Sequence, residues 1–256
     1  MKKCIKGKSC RESCINKGKK CSVTLSASVS QSLARITDSL KSEYKPERYK
    51  GWEPKAKGFY GVVSFSPDEK RVVKELISRG DGKDKFGEYE VEVAVRMGNL
   101  GSSPKVISHS SKHIEMERAK GKPLWEGYQQ QEGDMPMNSR QSLNSSKALK
   151  NLHKMGFFHG DIHNLQFIVD KDNVKLIDFG ASAPFETNPR KLIQDLNKAS
   201  KFIDWDNPDL DGDLYVQTVR KYRSMYRNPP SRKKQDVLDH ENLTGMQYQK
   251  ELSLLP

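Results

Sequence analysis

Apolar positions alternate in short runs through the first half of the chain and recur at spacings of three and four through the second. KGFYGVVSFSPDEKRVVKELI, residues 57–77, reads as two strands around an SPDEK turn. DGKDKFGEYEVEVAVRMGNLG, 81–101, reads as a loop and then a helix ended by glycine. KVISHS and HIEMERA, after Pro104, read as two further strands. The polar stretch EGYQQQEGDMPMNSRQS opens a helix over LNSSKALKNLHKMG. QFIVDKDNVKLIDFG predicts a hairpin of two short apolar strands, and RKLIQDLNKASKFIDW and DLYVQTVRKYRSMYR predict helices. Upstream, Leu33, Ile36 and Leu40 fall on one face of a helix within residues 25–50, read as a helical linker. The last stretch, 229–256, is polar and opens with two prolines, and is read as a tail that wraps the domain or hangs free. Strands first and helices second predict an α+β chain with a small β lobe over 51–118 and a helical lobe over 119–228.

Composition changes that picture mainly at the N-terminus. The chain has 256 residues, enough for two lobes around a core, and a formal net charge of +12. Residues 1–21 hold eight Lys or Arg and one Glu, and they open a basic segment read over 1–24. Such an arm favours acidic partners: a protein substrate or binding partner with an acidic surface, or nucleic acid met through the arm alone. It lacks the interleaved aromatics of a single-strand binder. No apolar run approaches the roughly 18 residues that span a bilayer, and no apolar region of a signal peptide follows the basic start. The expectation is a cytoplasmic protein, working in a host cytoplasm or a phage virion.

All the cysteines lie in that arm: Cys4, Cys10, Cys14 and Cys21. The C-x5-C-x3-C-x6-C spacing lacks C-x2-C knuckles and leaves three readings open. They are one structural Zn2+, two disulfides, or free thiols.

HGDIHNLQF, 159–167, concentrates titratable groups beside an apolar strand. Asp161 and Asp178 are seventeen residues apart with the predicted hairpin between them, a geometry that brings two carboxylates and the Gln166 amide to one mouth. Carboxylates with an amide suit Mg2+, which keeps few protein ligands and takes phosphate oxygens. Lys74, in VVKEL, is a strand lysine suited to a phosphate or carboxylate. Two glutamates on the next helix could orient it. From Glu90 the residues at i+3, i+4 and i+7 are Val93, Ala94 and Met97; from Glu92 they are Val95, Arg96 and Asn99. The apolar face belongs to Glu90.

These motifs, in this order, resemble those of the protein-kinase-like superfamily over about residues 52–225. The resemblance implies a two-lobed fold and an ATP- and Mg2+- or Mn2+-dependent phosphotransferase, foremost an atypical Ser/Thr protein kinase. HGDIHNLQFIV resembles the catalytic loop, with Asp161 as base and His163 near the transferred phosphate. DFG puts Asp178 on the metal with Gln166, and VVK puts Lys74, oriented by Glu90, on the α/β-phosphates. AKGFYGVV resembles the glycine-rich loop, with Gly58, Gly61 and Val63 but Ala56 in place of the first glycine. IEMERAKGKPL resembles the hinge, where the backbones of Glu117 and Ala119 meet the adenine edge. Met116, Val72 and Ile177 then wall the pocket.

The departures are as informative. Gln166 stands where the family has asparagine, HGD replaces HRD, and neither a long activation segment nor APE follows DFG. The resemblance therefore also implies two alternatives: a kinase-fold binding or particle-associated module, and, from HGDIH, a small-molecule kinase. CIKGKSCRESCI is similar to short motifs of cyanobacterial and cyanophage proteins and points to a bacterial or phage origin. His159 reads as structural. Asp195, in KLIQDL, reads either as an anchor below the catalytic loop or as an exposed helix aspartate.

Overall fold

The computed structural model describes residues 8–10, 13–15, 35–58, 61–77, 89–124, 137–227 and 234–255. Strands β1 (Lys8–Cys10) and β2 (Ser13–Ile15) pair antiparallel, with Ser9 opposite Cys14 and Cys10 opposite Ser13. Cys4 and Cys21 lie outside the described residues, and so does the choice between zinc, disulfide and thiol.

The first lobe is one antiparallel sheet of β3 (Glu53–Lys57), β4 (Gly61–Phe65), β5 (Arg71–Leu76), β6 (Val106–His109) and β7 (His113–Glu117), in the order β3-β4-β5-β7-β6. The strand β3, EPKAK, escaped the sequence reading because every one of its side chains is exposed, so it carries no alternation. Its lysines and proline suit an unprotected edge.

Register divides the sheet into two faces. Val63 and Ile114 lie opposite Lys74, and Phe65 and Met116 lie opposite Val72. Side chains alternate along a strand, so Val63, Val72, Lys74, Ile114 and Met116 share one face. On that side stands helix α1 (Glu90–Asn99), which buries Glu90, Val93, Ala94, Val95 and Met97. The stripe is the one read from Glu90, while Glu92 turns outward to Arg96.

The other face is covered by residues 40–52, a correction to the helical-linker reading. Residues 35–39 are helical, but the chain then pairs with the β6 edge through His109 N–H to Leu40 O (3.0 Å) and Ser42 N–H to His109 O (2.8 Å). Tyr44 packs on His113 at 5.2 Å between ring centroids, Tyr49 meets Trp52 edge-on at 5.1 Å, and Arg71 lies over Trp52. This strap has no α-helical period because its only helical part is a short 3-10 turn, Pro46–Tyr49, and aromatic and polar contacts hold the rest.

The second lobe begins with β8 (Lys122–Pro123) and α2 (Ser139–Lys154). The α2 start is set by a reciprocal cap: Gln141 N–H donates to Asn138 Oδ1, and Asn138 N–H donates to Gln141 Oε1. Strand β9 (Phe157–Phe158) pairs with β12 (Ala183–Pro184), and β10 (Phe167–Asp170) with β11 (Asn173–Leu176) and β8. Helices α3 (Pro189–Ala199), α4 (Leu214–Arg227) and α5 (Lys234–Leu252) complete the lobe. The core runs through Leu149, Leu152, Phe167, Leu176, Leu192, Leu196, Trp205 and Tyr215, each all but inaccessible.

Two helix expectations need correcting. The helix read over 190–205 ends at Ala199. The segment read as a tail contains α5, which buries Thr244, Tyr248 and Leu252 at a spacing of four. Leu243 and Met246 are exposed on the same helix, so apolar residues on two faces hide its period.

Candidate active site

Lys74 sits on the α1 side of the sheet, 9% exposed, with Nζ 2.5 Å from Glu90 Oε1 and 2.6 Å from Asp178 Oδ1. Burial works against its charge, but the two carboxylates outweigh it and raise its pKa. Burial also raises the Glu90 carboxyl against the pull of Lys74, and Glu90 Oε2 has no hydrogen-bond partner among the described residues. Asp178 is about one-third exposed at 36%. Burial opposes its ionisation too, but Lys74 and the Gly180 N–H hold it below the usual carboxylate range. Its φ is +63°, a left-handed backbone for a residue with a Cβ. Such strain persists where the surroundings hold it in place.

The catalytic-loop candidates follow β9. Asp195, on the buried stripe of α3 with Leu192 and Leu196, accepts N–H bonds from His159 (2.5 Å) and Gly160 (3.0 Å). It is therefore the anchor below the loop, and its burial pushes its carboxyl up to about 7. Gly160 has φ +84°, and a Cβ there would run into the Ala181 carbonyl oxygen. The glycine in HGD is thus required by the close approach of the segment after DFG.

His159 bridges the loop to the residue before Asp178. Its Nε2–H donates to Ile177 O at 3.0 Å and its Nδ1 accepts from Asp161 N–H at 3.4 Å. Both bonds fit the neutral ring, and burial lowers its pKa to about 4. Asp161 points to solvent, its side chain 44% exposed, with Oδ2 3.7 Å from His163 Nε2. Gln166 is buried, and its side-chain amide lies 2.8 Å from the same His163 Nε2.

Of the other expected residues, Val63, Val72 and Met116 are half-buried on the Lys74 face, Ala119 is half-buried just beyond β7, and Glu117 ends β7 with an exposed side chain. The glycine-rich candidate is the tip of the β3–β4 hairpin. Gly58 N–H donates to Gly61 O at 2.9 Å, and a Cβ on Gly61 would meet the Glu75 carbonyl. Residues 59 and 60, between them, lie outside the described residues. After DFG, Ser182 donates to His159 O at 3.3 Å and β12 pairs with β9, so the chain passes directly into α3.

Nothing in the sequence marks Ser182, and Asp195 fits two roles on sequence alone. The signal for Asp195 was its place three after Leu192 and four before Ala199, inside the apolar stripe.

Asp178 fits magnesium: an ionised, partly exposed carboxylate with one oxygen on Lys74. Among the described residues no three His, Cys, Asp or Glu cluster as a metal cage, and no helix is long and apolar enough to cross a membrane.

No family model and no curated protein matches the chain. Among solved structures it is similar to a co-crystal structure of WbdD and the kinase inhibitor LY294002, at 15% identity and a TM-score of 0.40. That likeness covers 79% of this chain and 46% of the other, so the chain spans less than half of its length. The fold is α+β. A five-stranded sheet with its strand lysine paired to a helix glutamate precedes a helical lobe whose DFG aspartate reaches the same lysine.

Proposed function

We propose that the chain is an ATP- and Mg2+-dependent phosphotransferase acting on a hydroxyl, foremost a serine or threonine of a protein. The observation that carries the reading is Lys74 held charged between Glu90 and Asp178. A buried cation between two carboxylates, with one of these partly exposed, is poised to exchange a carboxylate contact for phosphate oxygens.

In this reading Lys74 binds the α/β-phosphates and Glu90 keeps its ammonium in place. Asp178 would hold Mg2+, which supplies charge neutralisation on the phosphate oxygens. Adenine lies against Val63, Val72 and Met116, with its edge toward the backbones of Glu117 and Ala119. Asp161, on a loop whose backbone Asp195 fixes, orients the acceptor hydroxyl. The bond between the γ-phosphorus and the ADP oxygen breaks, the acceptor oxygen bonds to phosphorus, and its proton passes to Asp161. Most of the work is positioning and electrostatics.

A small hydroxylated molecule is the second acceptor reading. The short segment between Asp178 and α3 supports it, because that segment is paired to β9 and offers no long loop for a peptide.

The test is label transfer from γ-labelled ATP, with Mg2+ or Mn2+, to the protein itself, a generic protein acceptor and a panel of hydroxylated small molecules. Transfer lost in Asp161→Asn and Lys74→Met is expected. Folded wild-type protein that transfers to none of them overturns the reading in favour of a kinase-fold binding module.

A further inference from the structure

His163 and Gln166 have a hydrogen-bonding requirement that assigns them a joint role. His163 Nδ1 lies 3.3 Å from the Leu165 backbone N–H, which can only donate, so Nδ1 is an acceptor. A neutral imidazole with an accepting Nδ1 carries its proton on Nε2. That Nε2–H needs an acceptor, and the nearest atom is the end of the Gln166 amide at 2.8 Å. The amide end placed there in the structure is the nitrogen, Nε2, which sets two N–H groups facing each other. A half-turn of the amide presents its oxygen instead and satisfies both groups. Asp161 Oδ2 lies 3.7 Å from the same Nε2.

Burial makes the pairing consequential. Gln166 is enclosed, so its one oxygen has few partners to choose from, whereas His163 and Asp161 both reach solvent. The Gln166 backbone is fixed as well: its N–H donates to His163 O (3.1 Å) and its carbonyl accepts from Ile177 N–H (3.0 Å). A buried, clamped amide is thus aimed at an exposed imidazole that stands beside the exposed carboxylate.

We propose that Gln166 is a positioning residue for His163, and through it for Asp161, and that its amide oxygen is committed to the imidazole and does not ligate the metal. The extra methylene relative to asparagine supplies the reach. This rests on the phosphotransferase reading for its catalytic meaning, but the contact itself does not.

Two measurements on the full chain test it. Ring-nitrogen NMR, with His163→Gln to assign the signal, reads the tautomer. The expected result is Nε2–H in the wild type, with a mixed tautomer population in Gln166→Ala and Gln166→Asn. An Nδ1–H ring in the wild type, or an unchanged ring in both variants, overturns the proposal whatever the protein's activity. Calorimetric titration with ADP, with and without Mg2+, reads the metal. Gln166→Ala is expected to keep the Mg2+-dependent gain in affinity within about twofold of wild type, whereas Asp178→Asn loses it. Loss of that gain in Gln166→Ala as in Asp178→Asn would make the amide a metal ligand and sink the proposal. Wild-type protein without any Mg2+-dependent gain would count against the phosphotransferase reading instead, and the tautomer would still decide the contact.

Discussion

Lys74 and Glu115 are a mirrored pair on opposite faces of one sheet. Lys74 lies opposite Ile114, and the adjacent Val73 lies opposite Glu115. Each charge is buried and each is flanked by two opposite charges: Glu90 and Asp178 for the lysine, Arg48 (2.9 Å) and Arg71 (3.1 Å) for the glutamate. Glu115 is then completed by the Ser108 and Tyr49 hydroxyls at 3.1 and 3.3 Å. The Lys74 cluster differs. It leaves Glu90 Oε2 without a hydrogen-bond partner among the described residues, and its Asp178 has strained backbone and is partly exposed. A satisfied buried charge network specifies packing, whereas the unpartnered Glu90 oxygen and the left-handed Asp178 backbone are what motivate the binding role proposed for the Lys74 face.

The comparison breaks first at Asp161. Asp161→Asn should lower turnover by about 10²–10⁴-fold with nucleotide affinity kept, as measured by transfer rate and by titration. An equal loss of affinity would move Asp161 from the reaction to binding. Next, Glu115→Ala should cost about 1–3 kcal/mol in denaturant unfolding, since it leaves the Ser108 and Tyr49 hydroxyls without their acceptor on the outer face. The protein that remains folded should bind nucleotide within about threefold of wild type. A larger binding defect would mean that the strap is part of the site.

Gly245→Ala should cost about 1–3 kcal/mol, because a Cβ there would run into the Pro189 carbonyl at the start of α3. Thermal unfolding checks this, and an unchanged midpoint would mean that α5 is not docked as described.

The smallest effect is a slope with pH. Burial lowers His153 to about 3 and His159 to about 4, so both are neutral in the folded protein when the unfolded chain would protonate them below about 6.5. Their contribution to stability is present above that value and is lost as pH falls toward 4. Asp195, raised to about 7, acts the other way: it stabilises below about 4, and that contribution is lost as pH rises toward 7. Two histidines outweigh one aspartate, so stability should rise between about pH 4.5 and 6. Asp195→Asn should steepen the rise by up to about 1.4 kcal/mol per pH unit. Unfolding curves at several pH values would contradict this if the variant's slope were flatter.

What was legible in the chain follows the same division. The Lys74–Glu90 pairing could be read because both residues lie in strongly periodic elements, and the apolar stripe of α1 separates Glu90 from Glu92. The DFG and HGD stretches stood out by composition, yet neither exposes in sequence why Gly160 is needed. That depends on Ala181, brought close by the fold. The strap over residues 40–52 was misread because an aromatic and ionic covering has no hydrophobic period. Helix α5 was missed because Leu243 and Met246 place apolar residues on its exposed face as well. The His163–Gln166 contact could not be read at all, since it depends on which ring nitrogen meets Leu165.

The most direct test of the account is the thermal midpoint of wild type, Lys74→Met and Asp178→Asn with and without MgATP. Ligand at 100 times its dissociation constant should stabilise the wild type by about 2.7 kcal/mol. Both variants should lose that gain. A wild type whose midpoint does not move, or a Lys74→Met variant stabilised as much as the wild type, would contradict the assignment of the Lys74 face as the nucleotide site.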